Sequence, residues 1–405
     1  MTPTAEALHC FVPHTPTRAP TSVGALTSVK VAVKDLFDVA GHTSSFGHRQ
    51  WRATHQPAVT DSEVVARLRA AGASIVGLAK MDQLAYSLIG NVGEGEPPTN
   101  TFDPQCFCGG SSSGSASAVA GGVADLGVGT DTAGSIRVPA AACGLFSIRP
   151  TYGRISTEGA VPLARSLDVV GLLARAPTLL EAALTATSPG ATKPVGLRRV
   201  LVPAELASRN EPETWMVLNV VAKLAAQEFE CRVEEVEASL LVSAAVGDLF
   251  GRIQGREIWS EHAEWIMANM TYLASDVQTR LRRCEVLSHD ASDVVEADRD
   301  AREAYCQRLR ALLDEGALML LPVVPRRGPD RGWTEEQLLG YRLECFRLAA
   351  PSSLAGIPQV VVPARGRART VPLGFLGPSG SDEALLDLSR RLATTVLGLC
   401  EQSWV

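Results

Sequence analysis

Short apolar runs alternate with amphipathic segments in the N-terminal part of the chain. Residues 27–33, TSVKVAV, alternate with the period of two that is typical of a strand. The segment DSEVVARLRAAG has a helical period and predicts a helix that Asp61 caps and Gly72 closes. SIVGLA follows at once and predicts a buried strand. This strand–helix–strand order favours an α/β fold.

The rest of the chain shows the same two patterns. Helical periodicity occurs in three further segments, at about 213–229, 292–315 and 382–397. LMLLPVV at 318–324 and QVVVPA at 359–364 predict short buried strands, each stopped by a proline. Neither an internal repeat nor a low-complexity linker divides the sequence. We therefore expect one domain over residues 1–405.

Composition and charge exclude several classes of function. The chain has 38 Lys and Arg against 44 Asp and Glu, and its net charge of −6 disfavours nonspecific binding to nucleic acid. No apolar stretch reaches the roughly 18 residues that a transmembrane helix needs, and the N-terminal segment lacks the apolar core of a signal peptide. We therefore expect a cytoplasmic protein without a nucleic-acid or membrane partner.

The cysteines predict neither a disulfide framework nor a metal site. Nine cysteines, an odd number, are scattered along the chain. Cys106 and Cys108 form the one close pair, and no further Cys or His cluster lies near them in the sequence to complete a zinc site. Small apolar side chains in a reduced protein are the simpler interpretation.

The segment from Gly109 to Arg137, GGSSSGSASAVAGGVADLGVGTDTAGSIR, is rich in serine, glycine and alanine. A flexible linker would be polar and unpatterned. Here Ser113–Ala124 carries an apolar face that predicts a packed helix, and Leu126–Val128 predicts a buried strand. GTDTAGS then predicts a tight turn. The segment is therefore expected to be structured, with serines held on turned backbone.

Two known serine- or glycine-rich motifs fit this segment poorly. A phosphate-binding loop needs a lysine, and the segment contains none. Gly110–Gly114 matches the nucleophile elbow G-x-S-x-G formally, but no clear strand precedes it. Of the histidines that follow, His262 and His289, neither lies in a recognisable catalytic setting.

A serine nucleophile without a nearby histidine needs another base, and a buried lysine can supply it because desolvation disfavours the charged form. Lys34, at the end of the first predicted strand, is the best candidate. Its position also fits an ordinary solvated lysine, because Lys30, Ala32 and Lys34 would share one face of that strand. The periodicity alone favours the solvated lysine, and the buried base stays open as the alternative.

Four motifs in order resemble the amidase signature family. The likeness is strong over about residues 28–175 and weak over about 176–350. It returns in the C-terminal part, 352–400, at SSLAGIPQVVVPA (352–364) and VPLGFLGP (371–378). GHTSSFGHRQW, MDQLAYS and GGSSSGS resemble its indoleacetamide hydrolase branch in particular. The four motifs are VAVKDLFDVAG (31–41), GGSSSGS (109–115), GTDTAGSIRVPAAACG (129–144) and RPTYGRIST (149–157).

This resemblance implies a fold and a triad. The fold is a single-domain α/β/α sandwich, in which helices cover a central twisted mixed β-sheet. Ser135 would be the nucleophile, Ser111 the proton relay and Lys34 the base. The resemblance also implies that Ser111 follows a cis peptide bond, which we expect to join two serines.

Further site residues are implied in the same way. Asp131 and Arg137 would brace the nucleophile turn as an ion pair. Met81 and Asp82 would approach the acyl pocket, although Met81 equally fits a place in the apolar core. Ala133 stands where the family usually has glycine, which would be strained if the position needs a positive φ. Backbone N–H groups of four consecutive residues would form the oxyanion hole, namely Thr132, Ala133, Gly134 and Ser135.

The resemblance implies an amidohydrolase that releases ammonia or a small amine from a small-molecule carboxamide, with an arylacetamide as one candidate substrate. It implies no cofactor and no metal, and it suggests a homodimer. Two alternatives stay open. One is the glutamine-dependent amidotransferase subunit of the same family, and the other is a non-catalytic binding module with this fold.

Overall fold

The computed structural model describes residues 3–13, 15–188, 190, 197–209, 211–237, 241–313, 316–366 and 370–398. Within these ranges the chain forms ten strands. They are β1 Lys30–Lys34, β2 Ser74–Ala79, β3 Leu126–Asp131, β4 Phe146–Arg149, β5 Val169–Ala174, β6 Arg199–Pro203, β7 Arg232–Val236, β8 Ala317–Pro322, β9 Gln359–Arg365 and β10 Thr370–Leu376.

Twelve α-helices occur in the same ranges, together with short 3-10 turns at Gln83–Ala85, Ala204–Arg209 and Met270–Tyr272. The helices are α1 Ala5–Leu8, α2 Arg49–Thr54, α3 Glu63–Ala70, α4 Ser113–Ala120, α5 Arg137–Cys143, α6 Pro177–Thr187, α7 Pro212–Glu228, α8 Ala244–Asn269, α9 Ser275–Leu287, α10 Ser292–Leu312, α11 Glu335–Ala355 and α12 Asp382–Gly398.

All ten strands join one mixed sheet in the order β2-β1-β3-β5-β4-β9-β10-β8-β6-β7. The pairs β1–β2, β1–β3, β6–β7 and β6–β8 are parallel, and the other pairs are antiparallel. Because β1 and β3 are parallel neighbours, their carboxyl ends meet at one edge of the sheet. The candidate site lies at that edge.

Apolar side chains cover both faces of the sheet. Val31 and Val33 of β1 pack into one apolar cluster with Val65 of α3, while Ala32 packs into another with Ala116 of α4. Helices therefore lie on both sides of the strands, which confirms the predicted α/β/α arrangement.

The predicted elements agree with the structure except near their ends. The predicted strand at 74–79 matches β2, and the predicted helix at 382–397 matches α12 to within one residue. The predicted helix at 292–315 is shorter, since α10 ends at Leu312. The helix predicted over 113–124 ends at Ala120, because Gly121 and Gly122 follow.

The predicted cap at Asp61 is wrong. The helix begins at Glu63, and Ser62 occupies the cap position without a side-chain hydrogen bond. Asp61 instead pairs with Arg69 and accepts a hydrogen bond from the Ala40 N–H. The carboxylate therefore ties the helix to the preceding loop.

Two further findings concern the molecule as a whole. Across the described ranges, no helix combines the length and apolar character that crossing a membrane requires. The eight cysteines within those ranges are all free thiols.

Candidate active site

Lys34 is completely buried at the carboxyl end of β1. Its Nζ donates to Ser111 Oγ at 2.8 Å and to Thr130 Oγ1 at 3.0 Å. Thr130 reaches it because β3 is the parallel neighbour of β1. The periodicity of the strand left a solvated lysine open, and the structure excludes that interpretation.

Burial lowers the pKa of Lys34 from 10.5 to about 7, because the ammonium loses its hydration. Asp82, Asp131 and Asp168 oppose this effect and hold the pKa of Lys34 above the value that burial alone would give. A lysine with this pKa is neutral in a substantial fraction of molecules near neutral pH, so it can accept a proton.

Ser111 lies in the loop before α4, and the peptide bond between Gly110 and Ser111 is cis. The expectation that Ser111 follows a cis bond is confirmed, whereas the expectation that this bond joins two serines is wrong, because residue 110 is glycine. Glycine is required at 110 because a Cβ there would collide with the Asp82 carboxylate and come within 2.9 Å of the Gly90 nitrogen. The close approach of the Asp82 loop thus fixes the position of Ser111.

Ser135 lies in the turn between β3 and α5, and 4% of its surface is exposed. The Ser112 N–H donates to the Ser135 carbonyl at 3.3 Å. This bond joins the Ser111 loop to the Ser135 turn. The structure therefore brings Lys34, Ser111 and Ser135 to one place, although they are far apart in sequence.

The Asp131 carboxylate organises the turn that carries Ser135. It accepts hydrogen bonds from the N–H groups of Gly134 at 2.8 Å and Ile136 at 3.2 Å. Arg137 donates to it from Nε at 2.9 Å and from Nη2 at 2.8 Å. The expected ion pair between Asp131 and Arg137 is thus present, within 2.8 Å.

Arg149 is a second cation at this turn, and sequence reasoning missed its role. Its Nη1 lies 3.2 Å from Asp131 Oδ1, and its Nη2 donates to the Leu167 carbonyl at 3.0 Å. Burial acts to raise the pKa of Asp131, but Arg137 and Arg149 outweigh it and hold that pKa well below its usual range. Asp131 therefore stays ionised and keeps the turn in one conformation.

Two of the expectations for the oxyanion turn need correction. The Gly134 N–H already donates to Asp131, so it is not available to a developing oxyanion. The N–H groups of Thr132, Ala133 and Ser135 remain as candidates. The positive φ in this turn, +111°, belongs to Gly134, whereas Ala133 lies outside the left-handed region. The expected strain at Ala133 therefore does not arise.

Other residues that sequence reasoning missed support the turn from outside. Arg137 donates to Ser353 Oγ at 3.0 Å and to Gln359 Oε1, and it also reaches the Ala349 carbonyl at 3.2 Å. Ser353 and Gln359 belong to the motif SSLAGIPQVVVPA, over 352–364. That motif was the available signal, but its partner Arg137 lies far earlier in the chain.

Met81 and Asp82, expected near the acyl pocket, are both buried. Met81 packs inside an apolar cluster. Asp82 is completely buried and accepts hydrogen bonds from the N–H groups of Gly90 at 3.0 Å and Val92 at 3.1 Å. Burial raises the pKa of Asp82 to about 6. The charge of Asp82 raises the pKa of Lys34.

A pocket opens beside Ser135, and we call it the Ser135 pocket. The turn between β3 and α5 forms one wall, the segment at 85–88 forms another, and α8 and α11 supply further side chains. Neither Met81 nor Asp82 is among its lining residues. Those are Ala85, Tyr86, Ser87, Leu88, Ala133, Ser135, Leu163, Gln254, Arg342 and Phe346.

His262 does not act on any serine of the segment. It is nearly buried on α8, where it packs against Phe46 and Trp51 with ring centroids 5.5 Å and 5.4 Å apart. A ring nitrogen, Nε2, lies 2.7 Å from the Pro162 carbonyl. The histidine-dependent elbow thus gains no support from His262. Within the described ranges, no three His, Cys, Asp or Glu side chains are grouped so that they could hold a metal ion.

A known protein family and several known proteins match the region that contains these motifs. Residues 14–195 match the family described as Amidase. The chain is 30% identical to Amidase 1 of Oryza sativa subsp. japonica over 94% of this chain and 93% of the relative. It is 32% identical to a glutamyl-tRNA(Gln) amidotransferase subunit of Thermus thermophilus, over 89% of this chain and 83% of the relative.

Two further similarities concern a chloroplast protein and a solved structure. The chain is 28% identical to the Translocon at the outer membrane of chloroplasts 64 of Pisum sativum, over 92% of this chain and 66% of that protein. A crystal structure of an amidase superposes with a TM-score of 0.80 at 28% identity, covering 92% of this chain and 86% of the other. These relatives resemble the present chain across almost all of its length.

Proposed function

We propose that this chain, which belongs to the amidase family, is an amidohydrolase. It cleaves the C–N bond of a carboxamide through an acyl-enzyme on Ser135. One observation carries the proposal. A buried lysine with a pKa lowered to about 7 donates at 2.8 Å to Ser111, and the next residue, Ser112, donates its N–H to the carbonyl of the proposed nucleophile at 3.3 Å. That arrangement supplies a base without a histidine.

Proton transfer begins at the base. Neutral Lys34 takes the proton of Ser111, Ser111 takes the proton of Ser135, and the Ser135 oxygen attacks the carbonyl carbon. The C–N bond then breaks, and the proton returns through Ser111 to the departing nitrogen. Ammonia or an amine leaves, and the acyl group stays on Ser135.

Water completes the cycle by the reverse path. It attacks the acyl-enzyme, gives its proton through Ser111 to Lys34, and releases the carboxylic acid from Ser135 as the proton returns to the serine oxygen. Thr130 keeps Lys34 Nζ next to Ser111 during both half-reactions, because Thr130 Oγ1 accepts a hydrogen bond from Nζ at 3.0 Å.

The oxyanion is stabilised by backbone N–H groups of the Ser135 turn. Thr132, Ala133 and Ser135 are the candidates, because the Gly134 N–H is held by Asp131. The ion pairs of Asp131 with Arg137 and Arg149 fix the turn before substrate binds. Losing one preorganised donor typically costs about 3–4 kcal/mol of transition-state stabilisation.

The test is hydrolysis of a panel of carboxamides by the purified protein and by Ser135→Ala. We expect wild-type turnover of at least one amide and a loss of at least about 1,000-fold in kcat for Ser135→Ala. Ser117→Ala is the matched control, since its buried hydroxyl donates to the Thr99 carbonyl at 2.7 Å. Full turnover by Ser135→Ala would overturn the proposal.

The motifs shared with the indoleacetamide hydrolase branch place arylacetamides in the panel. The family resemblance also supports a homodimer in the cytoplasm, which light scattering of the purified protein and fractionation of cells would test. A monomer, or a membrane-associated pool, would overturn that part.

The amidotransferase subunit is the second candidate, because the chain is 32% identical to one from Thermus thermophilus. Stable copurification with a partner and glutamine as the sole substrate would favour it. The non-catalytic alternative requires that the triad serve no reaction, so turnover of any amide that depends on Ser135 excludes it.

A further inference from the structure

Asp168 is a buried carboxylate that takes no part in the proposed proton transfers. It directly precedes β5, which pairs antiparallel with β3. Asp131, the last residue of β3, pairs with Val169, so the next residue of the chain, Thr132, comes opposite Asp168. The register of the sheet therefore places this carboxylate beside the first residue of the turn that carries Ser135.

The two oxygens of Asp168 hold two different parts of the site. Oδ1 accepts a hydrogen bond from the Thr132 hydroxyl at 2.5 Å. Oδ2 accepts hydrogen bonds from the N–H groups of Leu163 at 2.8 Å and Ala164 at 2.9 Å. Leu163 lines the Ser135 pocket, and the Thr132 N–H is a candidate oxyanion donor. One carboxylate thus joins the oxyanion turn to a wall of the pocket beside it.

Asp168 has little freedom to move, because the segment that leads to it from Pro162 is anchored to α8. Nε2 of His262 lies 2.7 Å from the Pro162 carbonyl. The Glu257 carboxylate accepts hydrogen bonds from the Ser166 N–H at 2.9 Å and from the Ser166 hydroxyl at 2.5 Å. Since α8 fixes the segment at two points, the carboxylate at its end is a rigid partner for the turn.

We propose that Asp168 is a positioning residue for this reaction, which fixes Thr132 so that the turn presents its N–H groups to the developing oxyanion. This inference rests on the proposed amidohydrolase function. Asp131 holds the later part of the turn at Gly134, and Asp168 anchors the part where the turn begins. A hydrogen bond from a hydroxyl to a carboxylate is strong. Donors that are held in place before the reaction need no reorganisation in the transition state.

The charge of Asp168 also acts on the base. It raises the pKa of Lys34, together with Asp82 and Asp131. Burial raises the pKa of Asp168 itself to about 6, and the hydrogen bond from Thr132 opposes this effect. The other charged groups that act with Asp168 come from β4, α8 and its own segment, namely Arg149, Glu257 and Arg165. A neutral side chain at position 168 should therefore change the pH profile as well as the rate.

Exchange of Thr132 tests the contact and keeps the carboxylate. Thr132→Val replaces the hydroxyl by a methyl group of similar size, and Thr132→Ser keeps the hydroxyl. We expect Thr132→Val to lower kcat by about 30-fold with KM within about threefold of wild type, because the misplaced donors act in the transition state. This loss is smaller than the roughly 100-fold or more that removing a whole donor causes. Thr132→Ser should retain kcat to within about threefold.

Thr187→Val is the matched control. Thr187 is as buried as Thr132, lies on α6 and donates to the Ala183 carbonyl at 2.7 Å. This exchange also removes a buried hydroxyl and its hydrogen bond, but outside the candidate site, so kcat should not change. Thermal unfolding of every variant shows whether it is folded at the assay temperature.

Asp168→Asn tests the carboxylate itself. An amide has a single oxygen, so it cannot accept from Thr132 and from Leu163 at the two positions where Asp168 does. We expect kcat to fall by about 30-fold or more. The rise of kcat/KM that neutral Lys34 causes should move to lower pH by about 0.5 unit or more. Thr132→Val should move this rise less, and a residue that only supported the fold would not move it.

The outcomes separate this inference from the proposed function. Wild-type kcat in folded Thr132→Val, or equal losses in Thr132→Val, Thr132→Ser and Thr187→Val, would overturn the inference while the amidohydrolase stands. An unshifted pH profile in folded Asp168→Asn would overturn the effect on Lys34. If Asp168→Asn does not fold, the comparison of Thr132→Val with Thr132→Ser decides the question. A wild-type protein that hydrolyses no amide would overturn the proposed function instead.

Discussion

Lys34 is the residue on which the proposed chemistry depends. A lysine in water keeps its proton throughout the physiological range, whereas Lys34 has lost its hydration and faces three buried carboxylates. The balance between these two effects sets its pKa to about 7. The base is therefore poised by its surroundings, and changes in those surroundings should change the pH dependence.

The pH dependence of kcat/KM should show this directly. Only neutral Lys34 accepts a proton, so kcat/KM should rise with pH through about 7 and level off above it. Asp82 raises the pKa of Lys34, so Asp82→Asn should move this limb to lower pH. A profile that is flat between about pH 5 and 9 would contradict the assignment of Lys34 as the base.

Burying Lys34, which lowers its pKa, also lowers the free energy of unfolding. The unfolded chain binds a proton on Lys34 below pH 10.5, but the folded chain does so only below about 7. Wild-type stability should therefore rise with pH between these values. Lys34→Met should be inactive yet about 2 kcal/mol or more stable at pH 7, after allowing for two lost hydrogen bonds.

Urea unfolding of both proteins at several pH values checks this. The difference in the free energy of unfolding should be largest at pH 7 and below, and it should shrink towards pH 10. A Lys34→Met variant that is less stable than wild type at every pH would show that Lys34 is a structural residue and not a strained base.

At the residue scale, the sequence predicted the residues of the candidate site better than it predicted the neighbours that position them. Ser111, Ser135, Asp131 and Arg137 were all expected at the site and lie there. Thr130 and Arg149 were not singled out, because their roles depend on which strands become neighbours. A local pattern carries no information on that pairing.

At the scale of elements, two loops define the site, namely the loop that carries Ser111 and the loop that carries Asp82. At Gly110 they approach each other too closely for a side chain. Gly110 lies against the Asp82 carboxylate, which the N–H groups of Gly90 and Val92 hold in place. The serine-rich segment is therefore packed, and the alternative of a flexible linker is wrong. Gly110 and Gly114 of this segment occur where the chain meets a carboxylate or another stretch of backbone.

Gly110→Ala should damage both stability and activity. The new methyl group would displace Asp82 or Ser111, so we expect the free energy of unfolding to fall by about 2 kcal/mol and kcat/KM to fall by about 100-fold. Gly340→Ala is the control, since no atom lies within 4 Å of its Cβ position and it sits inside α11. That change should stabilise the protein by about 0.5–1 kcal/mol.

Thermal unfolding and steady-state kinetics measure both variants. If Gly110→Ala were as stable and as active as wild type, the close packing of the Ser111 loop against Asp82 would not be required for the site.

The error in the predicted start of α3 also arises from a contact with another part of the chain. Asp61 resembles a helix cap in the sequence, but its carboxylate pairs with Arg69 and accepts a hydrogen bond from the Ala40 N–H.

At the scale of the whole molecule, the α/β class followed from the apolar patterns, but the strand order did not. β4 pairs with β9, although the two strands are far apart in sequence. This pairing brings Gln359 of β9 to Arg137 behind the Ser135 turn. The C-terminal motif is thus part of the site's support, which its sequence position alone could not indicate.

The residues that line the Ser135 pocket from the later helices were the hardest to predict. Gln254 and Arg342 come from α8 and α11, in the region where the family resemblance is weak. Their significance appears only when the folded chain leaves polar atoms of both side chains buried without partners. The motifs therefore carry the proposed triad, whereas part of the lining of the pocket beside it comes from the variable helices.

The measurement that tests the central claim most directly is covalent labelling by a fluorophosphonate, with the modified residue located by peptide mass spectrometry. We expect a single adduct on Ser135, absent in Ser135→Ala, strongly slowed in Lys34→Ala and unchanged in Ser117→Ala. An adduct on Ser111 or on any other residue, or labelling that persists in Ser135→Ala, would contradict the assignment of Ser135 as the nucleophile.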